Sequence, residues 1–278
     1  MAVNSSGSSS LKSTPATTRA NENKTVVDDH LIRGFKGVSE NLAETRDAAQ
    51  LIGVAHDYPE AIQELWMAGA LRRDISFGNL LVTTSEPLRG LVIDLGLAMR
   101  VTKDGKAHER SDVHHHPRGT LPFIAASLLP EDCDPRPAHA IRHDIESLFW
   151  VLLWTCLAFS EMAQPTRSMA NILHNLNGAN APTVGSKKVV PLLNPHFIRM
   201  EGKYHGATAF LQAFARLCQF PKTGTFDAVA KIFDDFKHNR LDPPENMPEL
   251  GLPGWNQLKH TLGNRRDDDP QSKRSRLD

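Results

Sequence analysis

Cysteine is scarce and odd in number. Cys133, Cys156 and Cys218 are the three in 278 residues, too few and too scattered for a disulfide framework or a zinc knuckle. That usage fits a reducing compartment. Neither sign of charge dominates, since 32 Lys plus Arg balance 32 Asp plus Glu, and nothing draws the chain to nucleic acid or to an acidic membrane surface. The opening Met-Ala-Val-Asn-Ser-Ser-Gly has no basic-then-apolar leader. The most apolar run, from Leu148 to Phe159, is about a dozen residues, short of the roughly 20 a bilayer needs. Together these absences predict an intracellular protein, cytoplasmic or nuclear, with no nucleic-acid or membrane partner.

What is present is enough for a packed core, with 40% hydrophobic residues. Residues 1–24 are Ser-, Thr- and Ala-rich with almost no large apolar side chains, which predicts a disordered tail. Residues 259–278 read as a second, charged tail whose Lys273-Arg274-Ser275-Arg276 is either a nuclear address or a solvated terminus. Between them, 25–258 should form one domain. Leu42, Ala49 and Ile52 among charged residues predict an amphipathic helix from Ser39 to Ile52, ended by Gly53. A second helix should follow Pro59, bury Ile62, Leu65 and Trp66, and stop at Gly69. Residues 143–159 are apolar nearly all round from Leu148 on and predict a central helix buried on every side. Two later helical patterns run through Phe210, Ala213, Phe214 and Leu217 and through Phe226, Val229, Ile232, Phe233 and Phe236. The Pro-rich stretch 240–256 reads as a loop-like edge. The fold class predicted is mainly α with a small β-hairpin.

The chemistry concentrates in residues 71–98. Asp74 precedes Asn79 by five residues and Asp94 by twenty. Leu80-Leu81-Val82 and Leu91-Val92-Ile93 flank a polar connection, the pattern of a hairpin that would bring Asn79 and Asp94 together at its mouth. An amide oxygen and a carboxylate there suit Mg²⁺, a hard cation that keeps part of its coordination for water and phosphates. Asp, Asn and Gly are also ordinary turn formers, and each alone would be read that way. Farther on, His114-His115-His116 lies in the polar stretch 102–118, where consecutive side chains in a loop point apart and cannot easily share an ion.

Four segments carry a resemblance. Arg73-Asp74-Ile75-Ser76-Phe77-Gly78-Asn79, Gly90-Leu91-Val92-Ile93-Asp94, Gly119-Thr120-Leu121-Pro122-Phe123 and His143-Asp144-Ile145-Glu146-Ser147-Leu148-Phe149 resemble the fungal-type protein kinase family, best over 56–160. The resemblance implies the large lobe of a protein kinase-like fold, with ATP and Mg²⁺ as cofactors. It implies Asp74 as the base that takes the substrate hydroxyl proton, and Asn79 and Asp94 as the metal and nucleotide ligands. Arg73, Thr120 and Asp144 take structural or substrate-platform roles, Thr120 by bonding near Asp74 and Asp144 by tying the central helix to the catalytic loop. Ordinary Ser/Thr kinases carry Lys where Ser76 stands, and a Gly before the metal-binding Asn also occurs in small-molecule phosphotransferases.

Three departures accompany the resemblance. Arg72 replaces the loop His, so an obligate cation must find a partner or water. Ala125-Ala126-Ser127 stands where kinases close the activation segment with Ala-Pro-Glu, losing an anchoring carboxylate. Only 73 residues precede Asp74, with no Gly-x-Gly-x-x-Gly, and Lys36 is too near the loop to serve as the strand Lys. The chain therefore reads as the large lobe alone, with the small lobe largely absent. The implied function is ATP-dependent transfer to protein Ser or Thr, weak or lost in the lone chain. A non-catalytic lobe acting as a protein-binding module is the alternative, with a separate small-lobe partner or self-association covering the exposed face. A remnant of a small-molecule phosphotransferase is a third reading.

Overall fold

The computed structural model describes residues 39–101, 119–129, 137–161, 167–178, 180–219 and 225–242. Both predicted tails, the 102–118 stretch with its three histidines, Lys36 and most of the Pro-rich 240–256 lie outside the described residues. Seven α-helices and five short strands follow one another in the described chain. The strands are β1 (Ser39–Asn41), β2 (Ala70–Leu71), β3 (Leu80–Thr83), β4 (Gly90–Val92) and β5 (Met99–Arg100). The helices are α1 (Ala48–Ala55), α2 (Asp57–Met67), α3 (Ile141–Ala158), α4 (Arg167–Leu176), α5 (Ala181–Leu193), α6 (Thr208–Gln219) and α7 (Phe226–Lys237). No described helix is long and apolar enough to cross a membrane.

The predicted β3–β4 hairpin forms, with Leu80 opposite Val92 and Val82 opposite Gly90. It is one part of a larger strand content. β1 adds to its other side to give an antiparallel order β1-β3-β4, and β2 pairs separately with β5. The helix predicted from Ser39 to Ile52 is thus corrected to a strand, a short 3₁₀ turn at Leu42–Glu44 and a helix that begins only at Ala48. Local side-chain bonds decide this. The Asn41 side chain accepts from Ala43 N, and Asp47 Oδ1 caps α1 by accepting Gln50 N–H at 2.8 Å. Gly53 does not end α1. It lies exposed inside it, where the roughly 1 kcal/mol preference against Gly is outweighed by burial of Val54 and Ala55. Nor does α2 wait for Pro59. It starts at Asp57 and holds Pro59 in its first turn, where the missing N–H would have had no helical partner anyway. Of its predicted buried face only Ile62 is fully covered; Leu65 and Trp66 are half-buried, while Tyr58 and Pro59 are buried. Gly69, at φ +82, supplies the left-handed residue after α2.

The core is built on α3. Leu148 through Leu153 are buried without a break, so this helix has no solvent face over more than a full turn. Its buried hydroxyls bond within the helix, Ser147 Oγ donating to His143 O and Thr155 Oγ1 to Val151 O, both at 2.8 Å. α6 lies against it through Phe149 and Phe214, whose ring centroids are 5.8 Å apart, and α7 lies on α6 through Phe210 and Phe233 at 4.9 Å. Each such fully buried aromatic contributes about 1.5–3 kcal/mol. α4 and α5, which no pattern in the sequence announced, complete the helical body; α5 carries Pro191 inside it and an Asn180 cap.

Candidate active site

The site forms where the loop between β2 and β3, the end of β4 and the Gly119–Phe123 turn meet the start of α3. After Leu80 pairs with Val92, Ile93 N–H continues the ladder to Asn79 O at 3.0 Å, which sets Asp94 beside Asn79 at the mouth of the hairpin. β4 can approach α1 and α2 this closely because residue 90 is glycine: a Cβ there would fall 2.7 Å from both Tyr58 Cε1 and Val54 O. Asp57 fixes the same strand by accepting Gly90 N–H at 2.7 Å and Arg89 Nε–H at 2.9 Å.

Asp74 is half-buried and shared by three donors. Its Oδ1 accepts Thr120 N–H and Thr120 Oγ1–H, both at 3.0 Å, and its Oδ2 accepts Asn79 Nδ2–H at 3.2 Å. Asn79 Nδ2 also reaches Asp74 O at 3.1 Å. With both amide protons committed to residue 74, Asn79 presents its oxygen as the group still open to a ligand. Asp94 is exposed, holds φ +61, and uses Oδ1 to accept Gly96 N–H at 2.7 Å. No hydrogen bond engages Asn79 Oδ1 or Asp94 Oδ2 among the described residues, which leaves two hard oxygens, of the kind a divalent cation takes, open to a ligand. A different acidic group, His56, Asp57 and Glu60, places its potential ligand atoms within 4.8 Å of one another. There Asp57 already serves Arg89 and Gly90, which accounts for it structurally.

Asp144 lies beneath the loop, fully buried, and its carboxylate serves other elements than its own helix. Oδ2 accepts Arg72 N–H at 3.1 Å, and Oδ1 accepts Arg73 N–H at 3.2 Å and faces His139 Nε2 at 2.8 Å. The first turn of α3 is closed instead by His143, whose Nδ1 accepts Ala140 N–H at 2.9 Å. Burial, with His139 and Arg142 nearby, pulls the His143 imidazole down to about 3, so the ring is neutral as that acceptor role requires. Arg73 adopts φ +71, and Gly119, at φ +125, packs so tightly on it that a Cβ would lie 3.0 Å from Arg73 O and 3.5 Å from Asp74 Oδ1. Two strained non-glycine residues, Arg73 and Asp94, therefore bracket the site.

The Arg72 side chain is withdrawn from the surface. It is 1% exposed, and none of its three side-chain nitrogens has a hydrogen-bond partner among the described residues. Burial lowers its affinity for the proton, and the carboxylates of Asp94, Asp144 and Asp74 act in the opposite sense.

The site has an aromatic floor that no motif marked. Phe77 from the loop stacks on Phe159 at 5.4 Å and leans on Trp154 at 5.0 Å, and Phe123 meets Trp154 edge-on at 5.8 Å. Loop, turn and α3 are thereby packed as one body. His139 was likewise missed, although its position five residues before Asp144 is the one signal that could have found it.

The family model described as fungal protein kinase matches residues 3–156, more than half of the 278-residue chain. The match spans Asp74, Asn79, Asp94, Thr120 and Asp144. No curated protein matches the chain.

Proposed function

The chain belongs to the fungal protein kinase family, and on that premise we propose that the described body is the large lobe of a kinase-like fold that moves the γ-phosphoryl group of ATP to a protein Ser or Thr hydroxyl. The observation that carries the reading is the hydrogen-bonded set Asp74, Asn79 and Thr120 with Asp94 adjacent. Mg²⁺ held by Asn79 Oδ1 and Asp94 would neutralise charge on the phosphates when bound. Asp74 takes the proton of the acceptor hydroxyl as its oxygen bonds to phosphorus and the bond from phosphorus to the ADP oxygen breaks. Thr120 and Asn79 hold the Asp74 carboxylate in one orientation. Asp144 holds the backbone that presents it. Among the described residues no lysine bonds to this group, so phosphoryl transfer by these residues alone is slow, since positioning and charge neutralisation supply most of the acceleration.

A second reading, a non-catalytic lobe that binds a protein partner, rests on Leu95, 56% exposed directly beside Asp94, and on Met67, 77% exposed at the end of α2. A separate small lobe or a second copy of the chain would cover such a face. Calorimetry of MgATP on the purified chain separates the two. Saturable binding that Asp94→Ala abolishes supports the kinase reading; absence of binding in the parent chain supports the binding module. Turnover lost in Asp74→Ala would then assign the base.

A further inference from the structure

The turn that follows the site, Ile124 to Leu129, is held by a buried pair of opposite charges drawn from two different helices. Glu146 of α3, 8% exposed, accepts Ala126 N–H at 2.7 Å and Trp150 Nε1–H at 2.9 Å through the same oxygen. Lys188 of α5, 1% exposed, donates its Nζ–H to Ile124 O and lies 4.8 Å from the centroid of the Trp150 ring. One carboxylate and one amine thus grip a carbonyl and an N–H two residues apart. Burial draws the Lys188 amine down to about 7 even though Glu146 opposes that shift, and it drives Glu146 upward.

Part of this turn packs apart from the main core, while Ala126 rests on the main core. Ile124, Leu129 and Val184 form their own buried cluster, with Leu121, Leu128 and Ala181 around it. α5 reaches the turn because residue 185 is glycine, where a Cβ would meet Leu129 Cβ at 2.8 Å. A buried lysine is a poor source of stability, since apolar residues of the same volume commonly do as well or better. What Lys188 adds is an occupant for the Ile124 carbonyl and a fixed place for the turn. Position 127, where the family's kinases carry the anchoring carboxylate, is an exposed serine here.

We propose that Glu146 and Lys188 are positioning residues that clamp residues 124–126 and so hold the Gly119–Phe123 turn against Asp74, in place of the anchor that Ser127 lacks. The purpose of that turn as a substrate platform rests on the kinase reading; the clamp itself does not. Lys188 lies beyond the part of the chain that the family model matches, so it is a feature the family match does not assign.

The test is amide hydrogen exchange on the full chain. In the parent protein, Ala126 N–H exchanges with the slow amides of α3, and a fast Ala126 overturns the clamp without any variant. Glu146→Leu and Lys188→Met each speed exchange across 119–129 by tenfold or more, while α1 and α6 keep their rates. Glu146→Gln, which retains an acceptor oxygen, keeps most of the protection. A rise spread evenly over α1, α3 and α6 would mean that the pair contributes only global stability, and it overturns the proposal, as does no change at all. Nucleotide plays no part in these readings. Failure of MgATP binding therefore leaves the clamp standing, and a loose turn leaves the nucleotide reading standing.

Discussion

Asp144 Oδ1 accepts the backbone N–H of Arg73 at 3.2 Å, and Arg73 is one of the few non-glycine residues with positive φ among the described residues, at +71. The two facts belong together. A left-handed conformation at a residue with a Cβ is costly and persists where surrounding bonds over-determine it. A buried carboxylate that takes two successive N–H groups, those of Arg72 and Arg73, is such a constraint. It aims the following residue, Asp74, at Thr120 and Asn79.

Asp144→Ala should therefore do more than remove one contact. It strips charge-assisted bonds from two backbone donors, each worth about 1.5–3 kcal/mol, and leaves those donors buried. A loss of roughly 3 kcal/mol or more is expected in urea unfolding. Asp144→Asn, which keeps one acceptor oxygen, should lose visibly less. Equal losses would mean that the charge, and not the geometry of acceptance, holds the loop.

Gly119→Ala should be damaging for a backbone reason. The φ of +125 is open to glycine and strained for any other residue, and the added methyl would press on Arg73 O and Ile124 Cγ1. About 1–3 kcal/mol is expected from the strain. Gly53→Ala is the matched control: it lies inside α1 with nothing within 4 Å of the added carbon and should stabilise by about 0.4–1 kcal/mol. The same substitution with opposite signs at the two sites would be read directly from two denaturation curves.

His143 gives a pH dependence of definite sign. Its folded value is about 3 against an ordinary 6.5, so between those two values the unfolded chain takes up a proton that the folded chain refuses. Its contribution is complete above about pH 6.5 and is lost as pH falls toward 3, at up to about 1.4 kcal/mol per pH unit. Carboxylates titrate in part of the same range, so the quantity to measure is the difference between the parent chain and His143→Gln. That difference should be widest near pH 7 and shrink with acid. A difference independent of pH would show that the ring titrates normally.

How much of this the sequence carried differs from element to element. α3 was legible because an apolar run on all sides of a helix has no other home than the core, and the β3–β4 hairpin because two β-branched or aliphatic runs flank a polar turn. Asp74, Asn79, Asp94, Thr120 and Asp144 could be picked out from their spacing and from the family resemblance together. β1 could not, because its strand character comes from pairing with Leu81–Thr83 across some forty residues, and its own pattern suits a helix equally well. Lys188 and Phe159 were silent for a related reason. A lysine reads as surface and a phenylalanine as anonymous core until the partner elements are placed.

Arg72 is where local preference and tertiary environment conflict most. Fully withdrawing a guanidinium from water costs several kcal/mol, and it is offset only if partners replace the lost hydration. Here the offset is long-range: Asp94, Asp144 and Asp74 stabilise the cation, yet none of its nitrogens is hydrogen-bonded among the described residues. Arg72→Met keeps a flexible unbranched stem, leaves the backbone N–H bond to Asp144 intact and removes the charge. A higher urea midpoint with an unchanged slope is expected, because a guanidinium with no hydrogen-bond partner among the described residues is no longer held away from water. If the variant is instead destabilised, the attraction of Asp74, Asp94 and Asp144 outweighs desolvation, and Arg72 is the counter-charge that these three aspartates share.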